Sequence, residues 1–158
     1  MERYQIARAK IKRFTNKHRV RVNIRNNMSL YEVRDTLWKW CEKEGIKIYK
    51  GDSDDECYAY ICGVKSECEI ELCPRSYSKR VTYRSLFEFM HEVGHIITAN
   101  FDHIEDTWED EYWADQWAID MAKRFGIVFP KRVRNEFQGY LDEYDEDEKI
   151  IGLELDWD

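Results

Sequence analysis

The sequence predicts a single α+β domain in which a small β-sheet packs on one strongly apolar helix and further helices flank this pair. The helix is indicated by residues 85–99, where apolar side chains recur at helical spacing. Two segments with alternating apolar residues, 58–64 and 68–73, are typical of a β-hairpin. The 158 residues contain no internal repeat and no interdomain linker, so we expect one domain over 1–158.

Charge is distributed unevenly along the chain. The formal net charge is −7, yet residues 1–25 hold nine Lys or Arg and one acid, whereas residues 140–158 hold nine acids and one lysine. We expect a basic N-terminal helix over about 1–18 and an acidic tail over about 142–158 that stays loose up to about residue 150. The chain as a whole is acidic and few aromatic residues accompany the basic segment, so nucleic acid is disfavoured as the main partner.

The N-terminal sequence and the cysteines indicate a cytoplasmic protein. The first 17 residues lack the apolar core of a signal peptide, and no run approaches the roughly 18 consecutive apolar residues of a membrane span. The five cysteines are therefore expected to stay reduced. Cys57, Cys62, Cys68 and Cys73 include no Cys-x-x-Cys pair, so we expect small buried thiols, with a second zinc site as the alternative.

Turn and capping residues place the elements that precede the apolar helix. Residues 20–24 alternate valine or isoleucine with arginine or asparagine and predict a short strand, with continuation of the first helix as the alternative. Ser29 caps a following helix, which ends at Gly45 in the C′ position. A strand over 46–50 comes next, then the hairpin, and a loop over 75–84 leads into the apolar helix.

Two further helices are predicted after the apolar one. The apolar helix itself is expected to begin with a capping box formed by Ser85 and Glu88. An acidic connection over 100–106 then leads to a helix over about 107–125, and a last helix follows over about 131–144.

The apolar helix contains the motif H-E-x-x-H, formed by His91, Glu92 and His95. Histidines four residues apart lie one turn apart on the same helix face, where both imidazoles can bind one tetrahedral zinc ion. Glu92 projects about 100° around the helix from His91, which suits a catalytic base acting on water rather than a metal ligand. Gly94 costs about 1 kcal/mol relative to alanine inside a helix, which indicates close approach of another element or a substrate. The alternative, two satisfied core histidines, is disfavoured by the capping pattern and the apolar flanks.

A catalytic zinc site usually has three protein ligands, so a third must lie downstream. A metzincin would place a histidine at position 101, which is Phe101 here. The acidic connection and the helix after it offer Glu105, Glu109 and Glu111. Glu111 is preferred over Glu109, because Asp115 lies one turn later on the same face and can accept a proton from a ligand imidazole.

These residues resemble the motif of the ImmA/IrrE family of small metallopeptidases, H-E-[LIV]-G-H followed by E-x-x-A-[ND]-x-F-A and an apolar segment that ends in proline. The resemblance covers about residues 80–130, with Trp117 in place of the usual phenylalanine and a loose match at 125–130. It implies a minimal zincin-like domain of the gluzincin type, one zinc ion per chain and peptide-bond hydrolysis. It also implies a protein substrate, a helix-turn-helix repressor of a phage or mobile element. The matching positions are His91, Glu92, His95, Glu111, Ala114, Asp115, Trp117 and Ala118.

Hydrolysis also requires a donor that stabilises the oxyanion. Tyr83, Arg84, His103 and Tyr112 are close in sequence to the motifs, and the sequence does not choose among them. An extended substrate could add to an edge of the hairpin sheet. The competing hypothesis is a non-proteolytic zinc-containing module that binds and inactivates a repressor or other protein, in which Glu92 has no special role.

Overall fold

The computed structural model describes residues 20–53, 56–62, 64–99, 108–148 and 154–158. The predicted α+β class is confirmed. The basic helix predicted over about 1–18 lies outside the described residues. The elements in chain order are α1 (Leu30–Lys43), β1 (Lys47–Lys50), β2 (Tyr58–Tyr60), a 3-10 turn (Lys65–Glu67), β3 (Glu69–Leu72), α2 (Pro74–Tyr77), α3 (Tyr83–Thr98), α4 (Trp108–Arg124) and α5 (Lys131–Glu148).

The three strands form one sheet in the order β1-β3-β2. β2 runs antiparallel to β3, which confirms the hairpin, and β1 runs parallel to β3. Ile70 and Leu72 are fully buried on one face of β3, as the alternation predicts. The strand predicted over 20–24 is not formed. Val20 is fully buried without belonging to a strand, and its carbonyl accepts a hydrogen bond from Arg124 at 3.4 Å.

The apolar helix, α3, begins three residues earlier than the sequence suggests. Thr82 is its N-cap: the Thr82 hydroxyl accepts from the Ser85 amide at 3.1 Å, and the Ser85 hydroxyl accepts from the Thr82 amide at 3.0 Å. The predicted capping box of Ser85 and Glu88 is therefore wrong, because Glu88 is turned into the protein and bound there by Arg75 and Arg84. The predicted loop over 75–84 is likewise interrupted by α2, which starts with a proline at its first position.

The backbones of α3 and α4 are in close contact at Gly94. A Cβ atom at this position would lie 2.6 Å from the carbonyl oxygen of Ala114 and 3.1 Å from its Cα. The close approach expected from a mid-helix glycine is thus confirmed, and the neighbouring element is α4. Ala114 and Ala118 are both buried. This contact brings Glu111 and Asp115 on α4 to the histidine face of α3.

Part of the acidic tail that was expected to stay loose up to about residue 150 is helical. α5 continues to Glu148, beyond the predicted end at about residue 144. The segment 154–158 packs against α3, α4 and α5. The ring of Trp157 lies 5.4 Å from that of Phe87 on α3, and the amide of the buried Leu155 donates to Gln138 on α5 at 2.9 Å. Gln116, a fully buried side chain, accepts the Asp156 amide at 3.1 Å. In the part of the chain that is described, no helix combines the length and apolarity that crossing a membrane requires.

Candidate metal centre

Three side chains from α3 and α4 converge on one point. The Nε2 atoms of His91 and His95 lie 2.9 Å apart. Glu111 places Oε2 at 2.9 Å from the first of these nitrogens and Oε1 at 3.3 Å from the second. The two histidines come from one face of α3, and the carboxylate comes from the helix that Gly94 allows to pack closely. This group can hold a metal ion.

Asp115 supports the centre from behind. Its Oδ1 lies 2.5 Å from Nδ1 of His91, on the side of the ring opposite Nε2, and only 4% of the residue is exposed. A carboxylate in this position fixes the imidazole tautomer, leaves Nε2 available as a ligand atom and raises its basicity. Burial raises the pKa of Asp115 above its ordinary value.

The imidazole of His91 and the nearby carboxylates shift each other's pKa values. Burial opposes protonation of His91, but the carboxylates of Asp115 and Glu111 raise the pKa of His91 well above its ordinary value. Burial would raise the pKa of Glu111, yet hydrogen bonds from His91 and His95 lower it below its ordinary value. Glu111 is therefore ionised, and a metal ion that binds here must displace a proton from His91.

Glu92 stands apart from these three groups. It is buried, with 8% of the residue exposed, and burial is the main reason why its pKa rises from 4.5 to about 7. Among the described residues, its carboxylate has no hydrogen-bond or ion-pair partner. A carboxylate with a pKa near neutrality can accept and return a proton at physiological pH.

The centre opens into a cavity of about 610 Å³. Part of its wall is formed by α5, which contributes Phe137, Tyr140 and Leu141. The N-terminal half of α3 and the neighbouring α2 contribute Arg84 and Arg75. The cavity thus joins the metal-binding group to an apolar surface on one side and to hydrogen-bond donors on another.

The predicted oxyanion donors are found in different places. Arg84 lines the cavity, and its Nη1 and Nε atoms bind Glu88 at 2.7 Å and Glu136 at 2.6 Å. Tyr83 and Tyr112 are not part of the cavity lining. The Tyr83 ring packs edge-on against that of Phe129, with centroids 6.2 Å apart. Tyr112 is fully buried, and its hydroxyl donates to the carbonyl of Glu154 at 3.4 Å.

His103 lies outside the described residues. Tyr140 is a cavity residue that sequence reasoning missed, and its hydroxyl donates to Glu136 at 3.1 Å. It is 49 positions after His91, and only its place beside the inward-facing Leu141 could have drawn attention to it.

Comparison with known proteins found no match for this chain among protein-family models, curated proteins or solved structures. The chemistry of the centre is therefore inferred from its own residues and distances.

Proposed function

We propose that this protein is a zinc-dependent peptidase in which His91, His95 and Glu111 bind the metal and Glu92 is the general base. The observation that carries the proposal is the convergence of two imidazoles and a carboxylate within 3.3 Å of one another, next to a buried carboxylate outside the ligand set. A site that only stabilised the fold would have no use for such a neighbour.

The ligand set suits zinc. Zinc binds nitrogen and oxygen at about 2.0–2.2 Å in tetrahedral geometry, which separates neighbouring ligand atoms by about 3.3 Å. The observed separations of 2.9, 2.9 and 3.3 Å approach that value. Two histidines and one glutamate are also a donor set of catalytic zinc sites, in which a fourth position stays open to water or substrate.

In the proposed reaction, Glu92 takes a proton from the attacking water and passes it to the leaving amine. A zinc ion in such a site supplies Lewis-acid chemistry, since it polarises a carbonyl and makes water nucleophilic near neutral pH. Asp115 keeps the His91 ring oriented throughout, through the contact at Nδ1.

Tyr140 is our candidate for the oxyanion donor. The other donors in the cavity wall, Arg75 and Arg84, both form ion pairs with Glu88, so their charge is already compensated. The Tyr140 side chain is uncharged and belongs to the same cavity as Glu92. Its single hydroxyl hydrogen is donated to Glu136 in this structure, so the hydroxyl would have to turn away from that carboxylate to donate to the oxyanion. A phenol of this kind can donate to a negative oxygen as it develops.

The sheet offers a binding surface for an extended peptide. β2 is an edge strand in the order β1-β3-β2, and it packs against α3, the helix that carries both histidines. Tyr58 and Tyr60 on β2 are exposed. A substrate strand added to this edge would be bound through main-chain hydrogen bonds. The resemblance to ImmA/IrrE peptidases makes a helix-turn-helix repressor the substrate that we propose.

The test compares wild type with Glu92→Gln and Glu111→Gln, each incubated with a candidate repressor while zinc is measured on the same samples. Wild type should carry about one zinc per chain and release fragments. Glu92→Gln should keep its zinc and lose about 10²–10⁴-fold in rate, whereas Glu111→Gln should lose zinc as well. If repression is relieved equally by wild type and Glu92→Gln without fragments, the protein acts by binding and the peptidase proposal is refuted.

A further inference from the structure

A second cluster of titratable side chains surrounds Glu88, which lies one helical turn before His91 on α3. Cys57, just before β2, and Cys73, just after β3, place their sulfur atoms 3.1 Å apart. The Cys73 amide also donates to the sulfur of Cys57 at 3.4 Å. The two residues are 16 positions apart in sequence, and the antiparallel pairing of β2 with β3 brings them together.

Polar groups surround the two thiols. The Ser76 hydroxyl lies 3.2 Å from the sulfur of Cys57 and 3.4 Å from that of Cys73. The same hydroxyl donates to Oε2 of Glu88 at 2.9 Å, and both sulfurs lie 3.7–3.8 Å from that oxygen. Glu88 is further bound by the guanidinium of Arg75 at 3.0 Å.

The cluster is poorly suited to a metal ion. Zinc–sulfur bonds of about 2.3 Å in a tetrahedral site separate two sulfurs by about 3.8 Å, and the observed distance is 3.1 Å. The third possible ligand, Glu88, is already bound by Arg75 and Arg84, and a dication would lie against both guanidinium groups. The short sulfur–sulfur distance suits a covalent bond between the two sulfurs better.

We propose that Cys57 and Cys73 are a redox pair that hydrogen peroxide, or another two-electron oxidant of the peroxide class, converts into a disulfide. The sulfur of Cys57 attacks one peroxide oxygen, and the O–O bond breaks. This step converts Cys57 into a sulfenic acid and releases the other peroxide oxygen as water. The sulfur of Cys73 then attacks Cys57, the S–S bond forms, and the hydroxyl leaves as a second water. Two electrons pass to the peroxide, and both thiol hydrogens end in the two waters.

The order of attack follows from access. Cys57 is half-buried and lines the same cavity as the metal centre, so an oxidant that enters the cavity reaches it. Cys73 is 1% exposed and can react only with a partner already beside it. Burial raises the pKa of Cys57 to about 12, so the attacking thiolate is scarce at neutral pH and crosslinking should accelerate as the pH rises.

The crosslink would tie the start of β2 to the start of α2. Both segments border the cavity, through Cys57 and Arg75. Oxidation also removes the two thiol hydrogens that face Oε2 of Glu88, a residue three positions before His91 on α3. The pair therefore gives the wall next to the metal centre two covalent states. This inference goes beyond the proposed peptidase activity and does not depend on it.

The test uses the full chain as purified, in a Cys62→Ser background that removes an exposed cysteine outside the pair. The protein is treated with hydrogen peroxide, denatured, alkylated and weighed. We expect a loss of about 2 Da, the mass of two hydrogens, two thiols protected from alkylation, and a crosslinked peptide joining Cys57 to Cys73. Dithiothreitol should restore both thiols, and crosslinking should be faster at pH 9 than at pH 7.

Cys73→Ser is the matched variant. Cys73 is the N-cap residue of α2, a position that serine favours, so this variant should fold. It should show no crosslink at any peroxide concentration. The proposal is overturned by oxygen added at Cys57 without a crosslink, by a disulfide that joins other cysteines, or by a second zinc per chain that Cys73→Ser removes. Peptide mapping of the Cys62→Ser protein decides the question even if Cys73→Ser fails to fold.

Discussion

Gly94→Ala should weaken metal binding, because this position sets the separation of the two helices that carry the proposed ligands. The added Cβ would lie 2.6 Å from the Ala114 carbonyl oxygen and 3.1 Å from its Cα. Both are backbone atoms and cannot rotate away. To restore ordinary contact distances of about 3.5 Å, α3 and α4 would have to separate by roughly 0.5–1 Å.

The effect on stability is small because two contributions oppose each other. Alanine is favoured over glycine inside a helix by about 1 kcal/mol, and overpacking costs about 1–3 kcal/mol. The free energy of unfolding should therefore fall by about 0–2 kcal/mol. Metal binding is more sensitive, since His91 and His95 move with α3 while Glu111 moves with α4. We expect zinc affinity to fall about 10–100-fold, the range seen when support of a ligand is lost.

Gly139→Ala on α5 is the matched control. A Cβ there meets no atom within 4 Å, so only the helix preference should act, and stability should rise by about 0.5–1 kcal/mol. Zinc affinity is measured by competition with a chromophoric chelator, and unfolding by circular dichroism. If Gly94→Ala binds zinc as tightly as wild type while the control behaves as expected, the reasoning about helix separation is refuted.

Three further predictions follow from the same geometry. Asp115→Asn should lower zinc affinity or activity about 10–100-fold, and an unchanged affinity and rate would show that the contact with His91 is dispensable. Tyr140→Phe should lower kcat with little change in KM or zinc content; if kcat is unchanged, another donor binds the oxyanion. In metal-free protein, the pKa of Glu92 is about 7 in the folded state and 4.5 in the unfolded state. The protonated side chain therefore contributes to folding stability below about pH 4.5, and this contribution is lost as the pH rises through about 7. Glu92→Gln should then be more stable than wild type at pH 8 by up to about 3 kcal/mol, and equal stability in urea titrations at that pH would contradict the assigned burial cost.

Features that depend only on neighbouring residues, such as helix caps and residues on one helix face, could be predicted from the sequence. Ser29 caps α1 by accepting the Glu32 amide at 3.1 Å, and Gly45 follows that helix with φ of 82°. The two histidines on one turn needed only the helical period. The third ligand could be ranked because Glu111 and Asp115 share a face of the next helix.

Features decided by distant partners could not be read in this way. Glu88 matches a capping box at the level of sequence, yet Arg75 and Arg84 draw it into the protein. Cys57 and Cys73 lie at the two ends of the predicted hairpin, but only the register of β2 against β3 places their sulfur atoms in contact. In each case a local pattern was satisfied, but tertiary contacts determined where the side chain went.

The buried acids near the centre differ in one respect that bears on function. Glu88 is neutralised by two guanidinium groups, and Asp115 is held against the imidazole of His91. Glu92, equally removed from solvent, has no such partner within the described part of the chain. A buried carboxylate without a partner is costly, and selection for stability alone would replace it or pair it. Its raised pKa and its position beside the two histidines of the candidate metal centre are the properties that the proposed general base requires.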